Sequence, residues 1–257
     1  MISVICPTYN SAKFVEKTLA TVVQQTVLPL ELIVSDDGSN DLTTDVVRQF
    51  LSSHASFPWI VLENPHQGPG AARNAAIKAA SSDWIAFLDS DDLWIPNKIE
   101  RVLRIMKDYP DANIFCHNYH HRLLNGNCVP MDMANRYVHG VSVPKQMFHN
   151  CLFTTSGVTV RKDLLFRYGL FDETFPSAQD YELWLRLSPA LKPHFIQEAL
   201  GYYVDRPQNI SSKHPLWHLR NVLRGLIKNR YCVSRYWLIY ALSRHTLAYM
   251  KRTFLPR

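Results

Sequence analysis

Trp84-Ile85-Ala86-Phe87-Leu88-Asp89-Ser90-Asp91-Asp92 changes character between one residue and the next. Five apolar residues read as a strand buried on both faces, and the run ends on three carboxylates within four positions. In open α/β sheets ligands bind beyond the carboxyl ends of the strands, so such a break marks a site. Three carboxylates held this close repel one another unless a cation lies among them. A hard divalent ion takes oxygen ligands and can bridge to a diphosphate. Asp92 alone, ahead of Leu93-Trp94-Ile95-Pro96, reads equally as a helix N-cap, but a cap needs one Asp and leaves the other two unexplained.

Three similar runs precede this one: Ile2 to Cys6, Leu30 to Ser35 and Trp59 to Leu62. The strand starts lie about 25 to 30 residues apart, the length of a βαβ unit. Between them Phe14, Thr18, Leu19, Val22 and Val23 mark one helical face and Val46, Val47 and Phe50 another, while Ala71 to Ala80 is strongly helix-forming. The fold class is α/β, a Rossmann-like, mainly parallel sheet flanked by helices. After Pro96 a helix runs to about Lys107 and stops at Tyr109-Pro110-Asp111. Asn113 to His121 reads as a strand, and Leu123 to Gly140 as an irregular loop. Further on, Val158 to Val160 is a strand, Tyr181 to Leu187 a helix and His194 to Val204 a strand, and two basic helices run from about Leu216 to the end. The expected organisation is one α/β domain over residues 1–212, with a nucleotide half to about 110 and an acceptor half beyond it, followed by a basic helical segment, 213–257.

At 257 residues, with 47% apolar and 19% charged residues, the chain has the composition of a globular protein with a sizeable core. Its five cysteines are scattered, never spaced as CxxC, and odd in number, which favours neither a disulfide framework nor a structural zinc site. The N-terminus lacks a basic n-region and its apolar run stops at Pro7, so no export signal is expected. No stretch approaches the roughly 18 apolar residues of a membrane span. A cytoplasmic location is therefore expected, with peripheral attachment at the inner face of the cell membrane as an extension of it. The net charge of +6 is uneven: residues 213–257 contain ten Lys or Arg and no Asp or Glu, leaving 18 basic against 22 acidic residues before them.

Each of the first three strands also ends on a polar loop: Pro7-Thr8-Tyr9-Asn10, Asp36-Asp37-Gly38-Ser39 and Asn64 to Gly70. Asp-Gly is a turn signal, and Ser39 or Asn40 is placed to cap the next helix. Beside the first loop, however, a carboxylate could accept the imide N–H of uracil while Tyr9 packs on the ring. Gly68 to Asn74 opens a helix whose N-terminus, with Arg73, favours a phosphate. It lacks the Lys-Ser/Thr of a Walker loop and the GxGxxG of a dinucleotide fold, which disfavours an ATPase or a dehydrogenase.

Taken in order, Pro7-Thr8-Tyr9-Asn10, Asp36-Asp37-Gly38-Ser39, Gly70-Ala71-Ala72-Arg73-Asn74, Phe87 to Asp92 and Gln179-Asp180-Tyr181-Glu182-Leu183-Trp184 closely resemble the family-2 inverting glycosyltransferases of bacterial type with the GT-A fold. The resemblance spans about residues 1 to 205. It implies a nucleoside-diphosphate sugar donor, most simply a UDP-sugar, and a Mg²⁺ or Mn²⁺ cofactor. The acceptor is a glycan or lipid-linked hydroxyl in surface polysaccharide synthesis. By the same resemblance Pro7, Tyr9 and Asp37 hold the nucleoside, Arg73 lies near the nucleotide, Asp89 near the ribose and donor sugar, Asp91 ligates the metal, and Asp180 is the general base. The chemistry agrees: loss of a diphosphate from an anomeric carbon calls for a cation on the leaving group and a carboxylate to take the acceptor's proton. Without the resemblance, Asp180 and Glu182 read as well as ordinary acids in a helix's first turn.

Two positions depart from the family pattern. Gln179 stands where Glu is common, and Arg206 stands in Tyr202 to Ser211 where many members carry a His, so Arg206 or His214 is left to meet the diphosphate. His117, His120 and His121 look like a metal cluster, but strand alternation turns His120 away from the other two, so partly exposed histidines and no zinc are expected. Two rival readings are a nucleotide-sugar-binding or scaffold protein without turnover, and a nucleic-acid-binding protein using the basic segment. Asp91 with Asp180 opposes the first and the acidic sheet edge opposes the second. In the basic segment Leu216, Leu219, Leu223, Leu226 and Ile227 recur at helical spacing beside Arg220, Arg224 and Lys228. This suits an anionic membrane surface or, equally, an ordinary helix with its leucines on the core.

Overall fold

A computed structural model describes residues 1–206 and 215–254. The four apolar runs become β1 (Ser3–Thr8), β2 (Glu31–Asp36), β3 (Trp59–Glu63) and β4 (Trp84–Phe87), paired in parallel in the order β3-β2-β1-β4. Their connections hold α1 (Val15–Val23), α2 (Thr43–His54) and α3 (Pro69–Ala79). Strand alternation divides the core into two layers: Val4, Cys6, Leu32 and Val34 pack with α1 and α2, whereas Ile5, Ile33, Ile85 and Phe87 pack with α3.

Beyond β4 the sheet is mixed. It contains β5 (Leu93–Trp94), β6 (Ile114–Arg122), β7 (Cys128–Met131), β8 (Val158–Arg161) and β9 (Pro193–Val204). The order continues β4-β8-β6-β9-β5, with β7 at the side of β6, and β6 and β9 run parallel while β8 is antiparallel to both its neighbours. β7 lies within Leu123 to Gly140, where an irregular loop is expected. Its first three residues are exposed and only Met131 packs against the core, so no buried alternation announces the strand. Helices α5 (Val143–His149) and α6 (Lys162–Tyr168) have seven residues each, too short to show a helical period. The remaining helices are α4 (Lys98–Asp108), α7 (Gln179–Leu187), α8 (Pro215–Lys228) and α9 (Arg235–Phe254).

The basic C-terminal helices are part of the core. Val222 and Leu226 of α8 and Ala241 of α9 join the cluster that holds Trp184 and Leu187. Gly225 lets α8 approach α7 closely, since a Cβ there would lie 3.7 Å from Leu185 and 3.8 Å from Glu182. Glu182, 1% exposed, binds Arg186 at 3.0 Å and Lys228 at 2.9 Å and accepts from Asn229 Nδ2 at 3.3 Å. Burial opposes its charge, but Arg186 and Lys228 outweigh it and hold the carboxyl below its usual range. A carboxylate suspected of being a mere first-turn acid is thus the anchor of α8. Removing it takes one partner from each cation, although Lys228 keeps Asp172 and Arg186 keeps the carbonyls of Gly169 and Leu170, so Glu182→Ala should lower stability by about 2 kcal/mol in urea unfolding. A loss under about 1 kcal/mol would show that apolar packing alone holds α8.

Candidate active site

The first two loops are stitched into one wall. Asp36, 2% exposed, accepts from Thr8 Oγ1 at 2.7 Å, from the Ser39 N–H at 2.7 Å and from Ser39 Oγ at 2.6 Å. Asn10, at φ 48°, donates its N–H to Ser39 Oγ at 2.8 Å. Ser39 is therefore tied into the turn rather than capping a helix. Gly38 is required twice over: its φ is +70°, and a Cβ would fall 2.8 Å from the His66 nitrogen. Asp37 accepts the N–H groups of Gln67 and Gly68 at 2.9 and 3.0 Å, and His66 Nδ1 lies 2.9 Å from its Oδ2. His66 in turn stacks on Tyr9 with ring centroids 4.3 Å apart, and Tyr9 remains 43% exposed. Pro7 is buried within β1 opposite Ser35. Tyr9 and Asp37 are thus joined by His66, which the sequence offered only as one of several polar loop residues, and Pro7 lies in the strand that leads to Tyr9.

Arg73, on the second turn of α3, is 5% exposed and binds Asp89 Oδ1 at 2.5 Å. Burial works against its charge, and the carboxylates of Asp89 and, further away, Asp180 raise its pKa nonetheless. Arg73 therefore stands electrostatically between the sheet-edge carboxylates and α7. Gly70 packs against Phe171 and Gln179, which brings the N-termini of α3 and α7 together.

The three aspartates after β4 have separate fates. Asp89 and Asp91 keep 33% and 28% of their side-chain surface open. Asp92 is 2% exposed and turns inward, where it accepts from Ser156 Oγ at 2.6 Å and from the Val204 N–H at 3.2 Å. It caps no helix, since α4 begins at Lys98. Burial, and then Asp91 and Asp89, push its pKa well above the usual range. Ser156 also accepts the Asp89 N–H at 3.0 Å, and its carbonyl takes Trp94 Nε1 at 3.0 Å. The neighbouring Thr155 donates its hydroxyl to Asp180 Oδ2 at 3.1 Å, while Asp180 Oδ1 accepts the Tyr181 N–H at 2.8 Å. One buried turn, Thr155–Gly157, thus holds both Asp180 and the acidic loop. Gly157 admits Tyr119, whose ring would lie 2.7 Å from a Cβ there. Neither Thr155 nor Ser156 carried a sequence signal, because hydroxyl residues between a loop and a strand are common.

Past β9, Arg206 reaches back to Asp91, Nε to Oδ2 at 3.4 Å, and lies 3.5 Å over the Phe14 ring. His214, the other candidate for the diphosphate, lies outside the described residues. Of the three strand histidines, His120 and His121 are partly exposed as expected and His117 is not. His117 is fully buried and depressed to about 3 by burial and the nearby Lys98, whereas His121 meets Asp205 at 2.8 Å, a carboxylate partner not foreseen in the sequence. Lys98 is itself fully buried over the Trp94 ring at 3.7 Å, and burial lowers its pKa to about 7.

The family profile described as "Glycosyl transferase family 2" matches residues 3–175, which takes in the first four strands, their loops and the Thr155–Gly157 turn. The chain belongs to glycosyl transferase family 2. This glycosyltransferase is 33% identical over 190 residues to the Escherichia coli UDP-Glc:alpha-D-GlcNAc-diphosphoundecaprenol beta-1,3-glucosyltransferase WfgD, covering 73% of this chain and 69% of that one. It is 27% identical over 259 residues to the E. coli enzyme of the same description, WfaP, with 97% of each chain covered. Among solved structures, Staphylococcus aureus TarS 1-349 in complex with UDP-GlcNAc superposes with TM-score 0.75 at 21% identity, over 98% of this chain and 73% of that one. The mannosyltransferase PcManGT of Pyrobaculum calidifontis, in complex with GDP-Man and Mn²⁺, gives TM-score 0.68 at 18% identity, over 100% of this chain and 75% of that one. The fold is GT-A.

Among the described residues no three Asp, Glu, His or Cys side chains converge as a metal cage. What the glycosyltransferase offers a divalent ion is Asp91, a half-buried carboxylate held beside Asp89. Burial first and Asp89 second raise its pKa to about 6. This fits a hard cation that draws further oxygens from a bound diphosphate. Without a cation, ionising Asp91 destabilises the fold, because its folded pKa lies above the unfolded value. That cost is absent below about pH 4 and complete above about pH 6. Asp91→Asn should therefore stabilise the ligand-free protein by about 1–3 kcal/mol at about pH 7.5 and by nothing at about pH 4, as measured by urea unfolding at both. Equal stability of the two proteins at the higher pH would count against a strained carboxylate.

Proposed function

We propose that the enzyme transfers a hexose from a UDP-sugar, with inversion, to a hydroxyl of a lipid-linked glycan acceptor in surface polysaccharide synthesis. The observation that carries this reading is the Thr155–Gly157 turn, which holds a carboxylate at the start of α7 and the acidic loop after β4 by adjacent hydroxyls. Inverting transfer needs these two groups in fixed relation: a base on one side of the anomeric carbon and charge stabilisation of the leaving diphosphate on the other. The substrates named for the two E. coli relatives, UDP-Glc and a GlcNAc-diphosphoundecaprenol, support the donor and acceptor class.

In this reading Tyr9, Pro7 and Asp37 form the nucleoside wall, with the Asp37-bound His66 fixing the Tyr9 ring. Arg73 lies near the nucleotide and orients Asp89 toward the ribose and donor sugar. Asp91 is the ligand of a Mg²⁺ or Mn²⁺ ion, which when bound neutralises charge on the departing diphosphate; Mn²⁺ accompanies GDP-Man in the PcManGT structure. Asp180 takes the proton of the attacking hydroxyl. Thr155 donates to one of its oxygens and the Tyr181 N–H to the other, so the carboxylate is fixed in orientation. The workplace is the cytoplasmic face of the membrane, met peripherally. Among the described residues no helix is long and apolar enough to cross one.

Asp180→Asn should bind UDP with Mn²⁺ as the parent does and lose about 10²- to 10⁴-fold in transfer, because an amide does not accept the proton. Calorimetry and turnover are to be measured on the same preparation; near-parental turnover would remove Asp180 from the role of base. A screen of nucleotide sugars for Mn²⁺-dependent release of free nucleotide identifies the donor, and proton NMR of the product should show the inverted anomer. Retained configuration would overturn the single displacement.

A further inference from the structure

The basic row of α8 is exposed, but two of its three cations are tied back onto the domain. Arg224 bonds to the Thr174 carbonyl at 2.9 Å and hydroxyl at 2.8 Å and lies 4.2 Å from the centre of the Phe175 ring. Lys228 binds Asp172 at 2.6 Å and Glu182 at 2.9 Å. Of the leucine stripe only Leu226 is fully buried. Leu216, Leu219, Leu223 and Ile227 instead line an open groove of about 1250 Å³ between α8 and α9, with Tyr249 on its far wall and Arg220 also lining it. Leu216 is 66% and Ile227 47% exposed, and α9 adds exposed Ile239, Leu247 and Met250.

We propose that this groove and the flanking apolar residues of α9 form the surface by which the protein seats on an anionic phospholipid leaflet. The proposal deepens the lipid-linked acceptor reading by naming the face that meets the lipid, and it rests on that reading for its purpose. Charge selects the occupant. Among the described residues Arg220, Arg224 and Lys228 line the groove and no acid does, so a second copy docked symmetrically here would set like charge against like charge. A leaflet containing anionic lipid offers both the apolar phase and the opposite charge. Position agrees as well: α8 lies directly against α7, with Asn221 Nδ2 bonded to Ser177 Oγ at 3.1 Å, two residues before α7 begins. The helix that walls the groove is thus about one helix spacing, 8–10 Å, from the helix that carries Asp180.

The test is co-sedimentation of the full chain with vesicles of phosphatidylcholine alone and with added phosphatidylglycerol, at low and high salt. The parent should pellet with the anionic vesicles at low salt, and weakly with the neutral ones. Leu216→Ser with Ile227→Ser removes two exposed side chains without opening the core, and should weaken partitioning at least about tenfold. Arg220→Glu should weaken it chiefly at low salt. Three outcomes overturn the proposal: a parent that stays in the supernatant with anionic vesicles, a double variant that pellets like the parent, or a parent dimer that the double variant converts to monomer. Transfer to a water-soluble acceptor, measured without vesicles, should be unchanged in these variants. Loss of catalysis with retained vesicle binding tells against the assigned reaction, and the reverse tells against the surface.

Discussion

Asp92 is a carboxylate removed from water and held by two partners from distant parts of the chain, the hydroxyl of Ser156 and the backbone N–H of Val204. A buried acid with fewer partners would be costly, and these two fix the acidic loop after β4 against β8 on one side and the end of β9 on the other. The rest follows from that junction. Ser156 also receives the Asp89 N–H, Thr155 beside it steadies Asp180, and Val204 leads within two residues to Arg206 over Asp91. Four segments, the acidic loop, the Thr155–Gly157 turn, the start of α7 and the end of β9, are thereby brought together.

The first half of the fold is legible because β1, β2 and β4 are buried on both faces and the apolar runs are nearly unbroken. Trp84 to Phe87 could hardly be anything but a central strand, and the alternation of Val4 and Ile5 between two layers follows from it. The second half is less legible for a physical reason. Its strands pair across large sequence distances, and its helices α5 and α6 are too short to show a period. Leu216 to Ile227 has the right period for α8, but period alone does not say which face is in. There the tie between Lys228 and Glu182 and the small size of Gly225 decide the rotation of the helix.

The site divides in the same way. Asp89, Asp91 and Asp180 stand out as carboxylates at element ends. The hydroxyls that aim them do not, since Thr155 and Ser156 acquire meaning only when β8 is laid beside β4. Asp36 and Asp37 are adjacent in sequence and divide their work: Asp36 closes the turn onto Thr8 and Ser39, and Asp37 fastens the next loop through Gln67 and Gly68. His117, taken as partly exposed, is instead a core residue beside Lys98, because β6 lies between β8 and β9 rather than at an edge.

The pairing of β5 with β9 has a consequence for how the protein is made. Leu93 and Trp94 close the acidic loop, yet their partners are Tyr202 and Gly201, more than a hundred residues later in the chain. During synthesis the parallel half, β1 to β4, can condense as it leaves the ribosome, because its contacts are mostly between successive units. The acidic loop then waits, with Arg73 opposing Asp89 alone and Asp92 still in water, until β9 arrives. The geometry of the acidic loop is thus a late product of folding, and a polypeptide interrupted before β9 has the joined first loops without it.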